Sequence, residues 1–243
     1  AMCSIESSFA IQCPTSRSRR TARSRPVALS SWRRSAGFGD PARTPDDDTW
    51  QLVSPSLKLI DEISRCTVCA EHLPAGPRPI VQFSPTSRIV IIGQAPGRRV
   101  HETGVPWDDP SGVRLRSWLG LTDVQFYDPD LVAIVPMGFC YPGTGSSGDL
   151  PPRPECAPLW HERILADLPD DRLTVILGTY AHARYVDDAG KTLTETVARW
   201  RDFLPDRIVL PHPSPRNNKW LRRNPWFEAE TLPAVAARVA EVI

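Results

Sequence analysis

Nowhere does the chain run for about 18 consecutive apolar residues, which excludes a helical membrane span. A surplus of one charge is missing too: 29 lysines and arginines stand against 28 aspartates and glutamates, a formal charge of +1. That balance excludes a protein that coats nucleic acid through bulk electrostatics. It hides an asymmetry, because residues 1–39 hold seven arginines and a single acid, Glu6. The remainder carries 22 basic and 27 acidic residues, a net charge of −5. Contact with nucleic acid is therefore confined to local patches. Two exist: Arg98 and Arg99 with Arg114 and Arg116, and "RNNKWLRR" at 216–223. Solvated surface charge accounts for either one equally well. Internal repeats and a second apolar core are also lacking, so 243 residues are read as one domain with a tail.

Apolar periodicity is absent from the first 45 residues, which are rich in Ser, Arg, Thr and Pro. Residues 1–45 are expected to be a disordered tail or an appended extension, with the folded domain over 46–243. An Arg/Ser-rich, acid-poor start also fits an organelle transit peptide. The expected location is the cytoplasm or nucleoid of a bacterium, with the mitochondrion as the eukaryotic alternative.

What the chain does have is alternation. "SRIVIIG" (87–93), "LVAIVP" (131–136), "LTVILG" (173–178) and "RIVLP" (207–211) are short apolar runs of the kind found in buried parallel strands. Helical patterns flank them: one carries Leu57, Ile60 and Ile63, and others cover 111–120, 155–168, 179–186 with 194–203, and 227–243. Strands alternating with helices predict an α/β fold around a mostly parallel sheet. Ligands of such sheets bind outside the carboxyl ends of the strands. There the chain places "GQAPG" (93–97), "PMGFCYPG" (136–143), "LGTYAHA" (177–183) and "PHPSPRN" (211–217).

Of the six cysteines, Cys3 and Cys13 fall in the tail and are read as incidental. Cys66 and Cys69 form a CxxC pair, Cys140 follows a strand, and Cys156 opens a helix. Two such pairs brought together supply four thiolates to one metal centre. Helix amides beside Cys156 favour thiolate charge. Ordinary buried thiols are the plain alternative.

"GQAPG" and "HPSPRN" (212–217) resemble the first and second motifs of the uracil-DNA glycosylase superfamily. The cysteine spacing resembles its iron–sulfur branches: CxxC, then 70 intervening residues to Cys140 and 15 more before Cys156. The resemblance spans roughly 60–240 and implies a three-layer α/β/α sandwich around a four-stranded, mostly parallel sheet. It also implies a [4Fe–4S] cluster on Cys66, Cys69, Cys140 and Cys156, with zinc as the alternative, and damaged or deaminated DNA as the partner.

Two departures stand out. Where the superfamily often carries an acidic or amide residue in its first motif, this chain has Gln94 and Ala95. One branch instead draws an aspartate from a downstream "TG…DxSG" segment, matched here by Thr103–Gly104 and Asp109–Pro110–Ser111–Gly112 with one residue fewer between. Close relatives also carry a uracil-reading asparagine four residues before the third cysteine, where this chain has Pro136.

The roles that follow are expectations. Trp107, in "GVPWDDPSG" (104–112), stands where relatives have a stacking Phe, with core or lid packing its alternative. Asp109 would stabilise the sugar cation and orient water. Asp108 competes for that role, and whichever of the two is not catalytic is free to cap the following helix. His212 would stabilise the leaving base, unless it is a loop histidine bonded to backbone. Backbone N–H groups of Gln94 and Ala95 would bind the base's carbonyl edge. Ser214, Arg216 and Asn217 would contact phosphates and wedge the strand, with Trp220 supporting the wedge or stacking on a neighbouring base. The resulting function is hydrolysis of an N-glycosidic bond by a monofunctional glycosylase. The alternatives are a non-catalytic DNA or abasic-site binder with a structural cluster, and an α/β enzyme acting on free nucleotides.

Overall fold

The four apolar runs become one sheet because each is too short for a helix and apolar throughout, so both of its faces must be covered. The computed structural model describes residues 54–146 and 148–243. Expectations for residues 1–45, including the arginine-rich tail, Cys3 and Cys13, lie outside the described residues. Six strands occur among those described: β1 (Ile89–Ile92), β2 (Val132–Ile134), β3 (Thr144–Gly145), β4 (Gly148–Asp149), β5 (Leu173–Leu177) and β6 (Arg207–Leu210). β2, β1, β5 and β6 lie side by side in that order and all pair in parallel; β3 and β4 form a separate antiparallel hairpin. The register sets Ile89 beside both Val132 and Leu173, so β1 and β5 lie at the centre of the core, and β1 is buried along its whole length.

Helices cover both faces. They are α1 (Pro55–Ser64), α2 (Arg98–Thr103), α3 (Pro110–Leu119), α4 (Asp123–Phe126), α5 (Cys156–Leu165), α6 (Gly178–Tyr185), α7 (Leu193–Ala198), α8 (Asn218–Arg223) and α9 (Leu232–Val242). The strand order reverses direction after β2, and right-handed crossovers then put α2–α4 on one face and α5–α7 on the other. Packing agrees with that division. α9 lies against α3, and just before α9 Phe227 meets Trp118 of α3 edge-on with ring centroids 5.1 Å apart. α1 lies against α5, joined by the Glu62–Arg163 ion pair.

Several local expectations change. In α1 the buried stripe is Leu59 and Ile63, while Leu57 is 48% exposed. The one-turn helix α2 and α8 are helices that periodicity does not reveal. In α8 only Leu221 is buried, so "RNNKWLRR" reads as a loop although its chain is wound. Residues 227–243 divide into a π-helical turn, Phe227–Thr231, followed by α9.

The contrast along α1 is testable. Ile63→Ala removes a fully buried side chain and is expected to cost about 2–5 kcal/mol, whereas Leu57→Ala should change stability by less than about 0.5 kcal/mol. Urea denaturation of the two variants measures the difference.

Candidate active site

At the carboxyl edge of the sheet lies a cleft of about 480 Å³, lined by the loops after β1, β2 and β6 and by the β3–β4 hairpin. Trp107 forms one wall. Its backbone sits at φ 56°, a left-handed conformation that costs a bulky residue about 1–2 kcal/mol. Such strain persists only where the surroundings over-determine it. Here they do: a Cβ on Gly93 would come within 3.0 Å of the indole, and one on Gly112 would collide with the Trp107 carbonyl. Arg116 reaches that carbonyl with Nη1 at 3.5 Å, and is itself held by Asp123 at 2.6 Å and the Tyr127 hydroxyl at 3.3 Å.

The two adjacent aspartates separate. Asp109 is the N-cap of α3, its Oδ1 accepting from the Gly112 N–H at 2.8 Å, and it also lines the cleft. Capping and facing the cleft are thus compatible roles for one carboxylate. Asp108 turns elsewhere: it pairs with Arg99 at 3.5 Å and lines no part of the cleft. Of the basic patch expected around Arg98 and Arg99, those two stay exposed, while Arg114 and Arg116 turn inward. Arg99 pairs with Asp108, Arg114 donates to the Ser214 carbonyl at 3.3 Å, and Arg116 is an internal brace.

His212 faces Trp107 with ring centroids 5.6 Å apart. Its Nδ1 accepts the backbone N–H of Ser214 at 3.2 Å, which leaves the proton of a neutral ring on Nε2. Burial holds the imidazole below its ordinary pKa, against the opposing pull of Asp109 and Asp149. The rest of "HPSPRN" mainly builds its own loop. Ser214 Oγ accepts from the Arg216 N–H at 3.3 Å, and Asn217 Nδ2 donates to the His212 carbonyl at 2.7 Å. Arg216 is exposed and lines the cleft. Trp220 is half-buried: its indole N–H donates to Thr194 at 2.8 Å and its ring packs edge-on against Trp226 and Phe227, an arrangement compatible with supporting the 212–217 loop.

Gln94 and Ala95 line the cleft. Their backbone N–H groups make no hydrogen bond among the described residues, whereas the Gln94 carbonyl accepts from Gly138 at 3.0 Å. The Gln94 side chain points to the Leu150 carbonyl at 3.4 Å. Pro136 lines the cleft, and behind it His161 bonds the Pro136 carbonyl through Nε2 at 2.9 Å and the Tyr185 hydroxyl through Nδ1 at 2.6 Å. One cleft group escapes sequence reasoning entirely. Asp149 ends a hairpin of two two-residue strands, too short for any periodic signal, and "GTGSSGD" reads only as a turn.

A model of the uracil DNA glycosylase superfamily matches residues 80–236, well over half of the chain. The chain belongs to that superfamily. It is also 26% identical over 165 residues to the Type-4 uracil-DNA glycosylase of Thermotoga maritima, a match covering 65% of this chain and 81% of that protein.

In this superfamily member Cys66, Cys69, Cys140 and Cys156 are all free, and all but Cys66 are buried. Burial, helped by the neighbouring thiols, pushes the Cys140 thiol up to about 11 and the Cys156 thiol up to about 12. Backbone N–H groups nonetheless aim at the sulfurs, that of Phe139 reaching Cys156 Sγ at 3.3 Å and that of Arg78 bonding Cys140. Amide donors pointing at mutually repelling thiols fit a set meant to be ionised around a positive centre. A single tetrahedral ion needs its ligands tightly converged. Among the described residues no three or more His, Cys, Asp or Glu are grouped so as to hold a metal ion.

The buried His161 generates a pH dependence. Burial pushes its pKa down to about 4 from the ordinary 6.5, so the unfolded chain takes up the proton first as pH falls. The stability contributed is complete above pH 6.5 and is lost on acidification toward pH 4, about 3 kcal/mol in all. Denaturation at pH 7 and pH 4 measures it, and His161→Gln should flatten that part of the profile.

Proposed function

We propose that the protein is a monofunctional DNA glycosylase that takes uracil, or another deaminated or damaged base, out of the stack and hydrolyses its N-glycosidic bond, opening base-excision repair. The observation that carries this reading is the convergence in one cleft of Trp107 and Asp109, from the segment between α2 and α3, with His212, from the loop after β6. Superfamily membership and the activity named for the Thermotoga maritima relative support uracil as the base to test first.

Each residue has a task that its surroundings suit. Trp107 offers a planar wall for the extruded base, worth about 1–3 kcal/mol of stacking. The free N–H groups of Gln94 and Ala95 donate to a base carbonyl. Breaking the C1′–N bond builds positive charge on the sugar and negative charge on the base. Asp109, anchored through Oδ1, keeps Oδ2 to stabilise the sugar and receive a proton from water. His212, neutral and protonated on Nε2, donates to the base oxygen as charge collects there. No lysine lines the cleft among the described residues, which supports hydrolysis by water over an amine-linked intermediate.

DNA contact falls to Arg216 and to Lys219, Arg222 and Arg223 of α8, which are exposed and form no ion pair among the described residues. Cys66, Cys69, Cys140 and Cys156 would hold a [4Fe–4S] cluster, whose positive centre neutralises the thiolates and ties the ends of α1 and β2 to the start of α5.

A second reading, a glycosylase-like binder that does not cut, is favoured by one observation: Ala95 and Pro136 present no polar side chain to the cleft. Incubation with oligonucleotides bearing uracil, hypoxanthine, xanthine or damaged pyrimidines separates the two. Alkali-labile abasic sites are expected, and Asp109→Asn should lower the single-turnover rate at least about 100-fold. Binding without cleavage of any base would establish the second reading. The purified protein should be brown and contain iron, and Cys140→Ser should lose both colour and iron; a colourless, zinc-loaded protein would sink the cluster assignment.

A further inference from the structure

Asp149 stands across the cleft from Asp109, at a position to which neither motif draws attention. The two carboxylates flank Gly97: a Cβ built there would lie 3.4 Å from Asp149 Oδ2 and 4.0 Å from Asp109 Oδ2. Each is anchored through its other oxygen. Asp109 Oδ1 accepts from the Gly112 N–H at 2.8 Å, and the Thr144 hydroxyl, itself engaged by Tyr141, reaches Asp149 Oδ1 at 3.4 Å. Both act on the same imidazole, that of His212. The first strand-end loop supplies no acid: Gln94 is turned toward Leu150, and Ala95 has no polar side chain.

We propose that Asp149 is the second carboxylate of the hydrolytic step, holding the attacking water together with Asp109 over Gly97. This rests on the glycosylase reading. A water has two O–H donors, so one acceptor leaves it free to swing while two acceptors on opposite sides orient its lone pair. The water oxygen bonds to C1′ of the deoxyribose as the C1′–N bond breaks, and the pair of electrons in that bond leaves with the base. The water proton passes to a carboxylate oxygen. The departing base, hydrogen-bonded by His212, is then protonated from solvent. In the free protein the Arg216 guanidinium, which lies against Gly148 beside Asp149, is the nearby cation, and the positive charge growing on the sugar gives the two carboxylates a second one to stabilise. The pair therefore favours the transition state over the ground state. Gly97 is integral to this arrangement, because any side chain there would occupy the space between the two oxygens.

The test uses the full chain and the base that the wild type removes fastest. Asp149→Ala and Asp149→Asn are each expected to lower the single-turnover rate by about 10- to 100-fold. Affinity for DNA carrying a 2′-fluorinated nucleotide, which resists hydrolysis, should change less than about twofold, a separation that a purely structural role would not produce. Gly97→Ala, whose methyl meets only ordinary van der Waals distances, should slow cleavage in the same way by displacing the water. Rates equal to wild type in the Asp149 variants or in Gly97→Ala would overturn the proposal. So would a loss of rate matched by a loss of affinity, or a changed ranking of bases with the best rate intact, which would make Asp149 a base-reading group. Wild type that cuts no base would end the glycosylase reading and this proposal with it; wild type that cuts while the variants match it removes the Asp149 assignment alone.

Discussion

Trp107 holds a left-handed backbone at φ 56° because its ring lies against Gly93 and its carbonyl over Gly112, and the geometry of the cleft depends on that packing. The close approach at Gly112 fixes where α3 begins. The start of α3 fixes Asp109, whose cap bond needs the Gly112 N–H, and leaves its second oxygen toward the cleft. The ring of Trp107 in turn faces His212, which arrives from the far end of the sheet. A strained residue wedged between two glycines is thus the joint through which the first strand-end loop, α3 and the last strand-end loop are set relative to one another.

Charge is deployed with the same economy. Three arginines that a linear reading assigns to the surface hold loops in place: Arg116 behind Trp107, Arg114 beneath Ser214, and Arg99 against Asp108. Arg114 and Arg116 are thereby half-buried while Arg99 stays largely exposed, and the charged and titratable groups lining the cleft are Asp109, Asp149, His212 and Arg216. Exposed cationic side chains that form no ion pair among the described residues include Arg98 at the start of α2, Arg216 in the 212–217 loop, and Lys219, Arg222 and Arg223 of α8.

Behind the cleft, His161 is kept neutral by burial and braces the Pro136 carbonyl from beneath, while the four cysteines gather beyond Phe139, whose N–H points to Cys156. The loop after β2 thus has one side in the cleft and the other in the cysteine cluster. One short segment, residues 136–140, carries Pro136 to the cleft and Cys140 to the side of Cys69.

Much of this was legible in the linear chain. Each apolar run marks a strand because a strand buried on both faces must be apolar throughout, and the loops after those runs hold Trp107, Asp109 and His212 because an α/β sheet gathers its ligands at that edge. The four cysteines declared themselves by type and spacing. What the chain alone could not reveal is which way side chains turn. Asp108 and Asp109 are neighbours in sequence, and only the start of α3 points one into the cleft and the other to Arg99. Trp220 reads as an aromatic among arginines, and only the fold shows that Thr194, Trp226 and Phe227 are its partners. Asp149 has no pattern of its own and becomes a cleft residue only when the hairpin folds over Gly97. Composition and periodicity determine which segments are buried, because burial is a property of a residue and its near neighbours. The partners of a charged or aromatic side chain come from distant segments, so only the tertiary structure decides them.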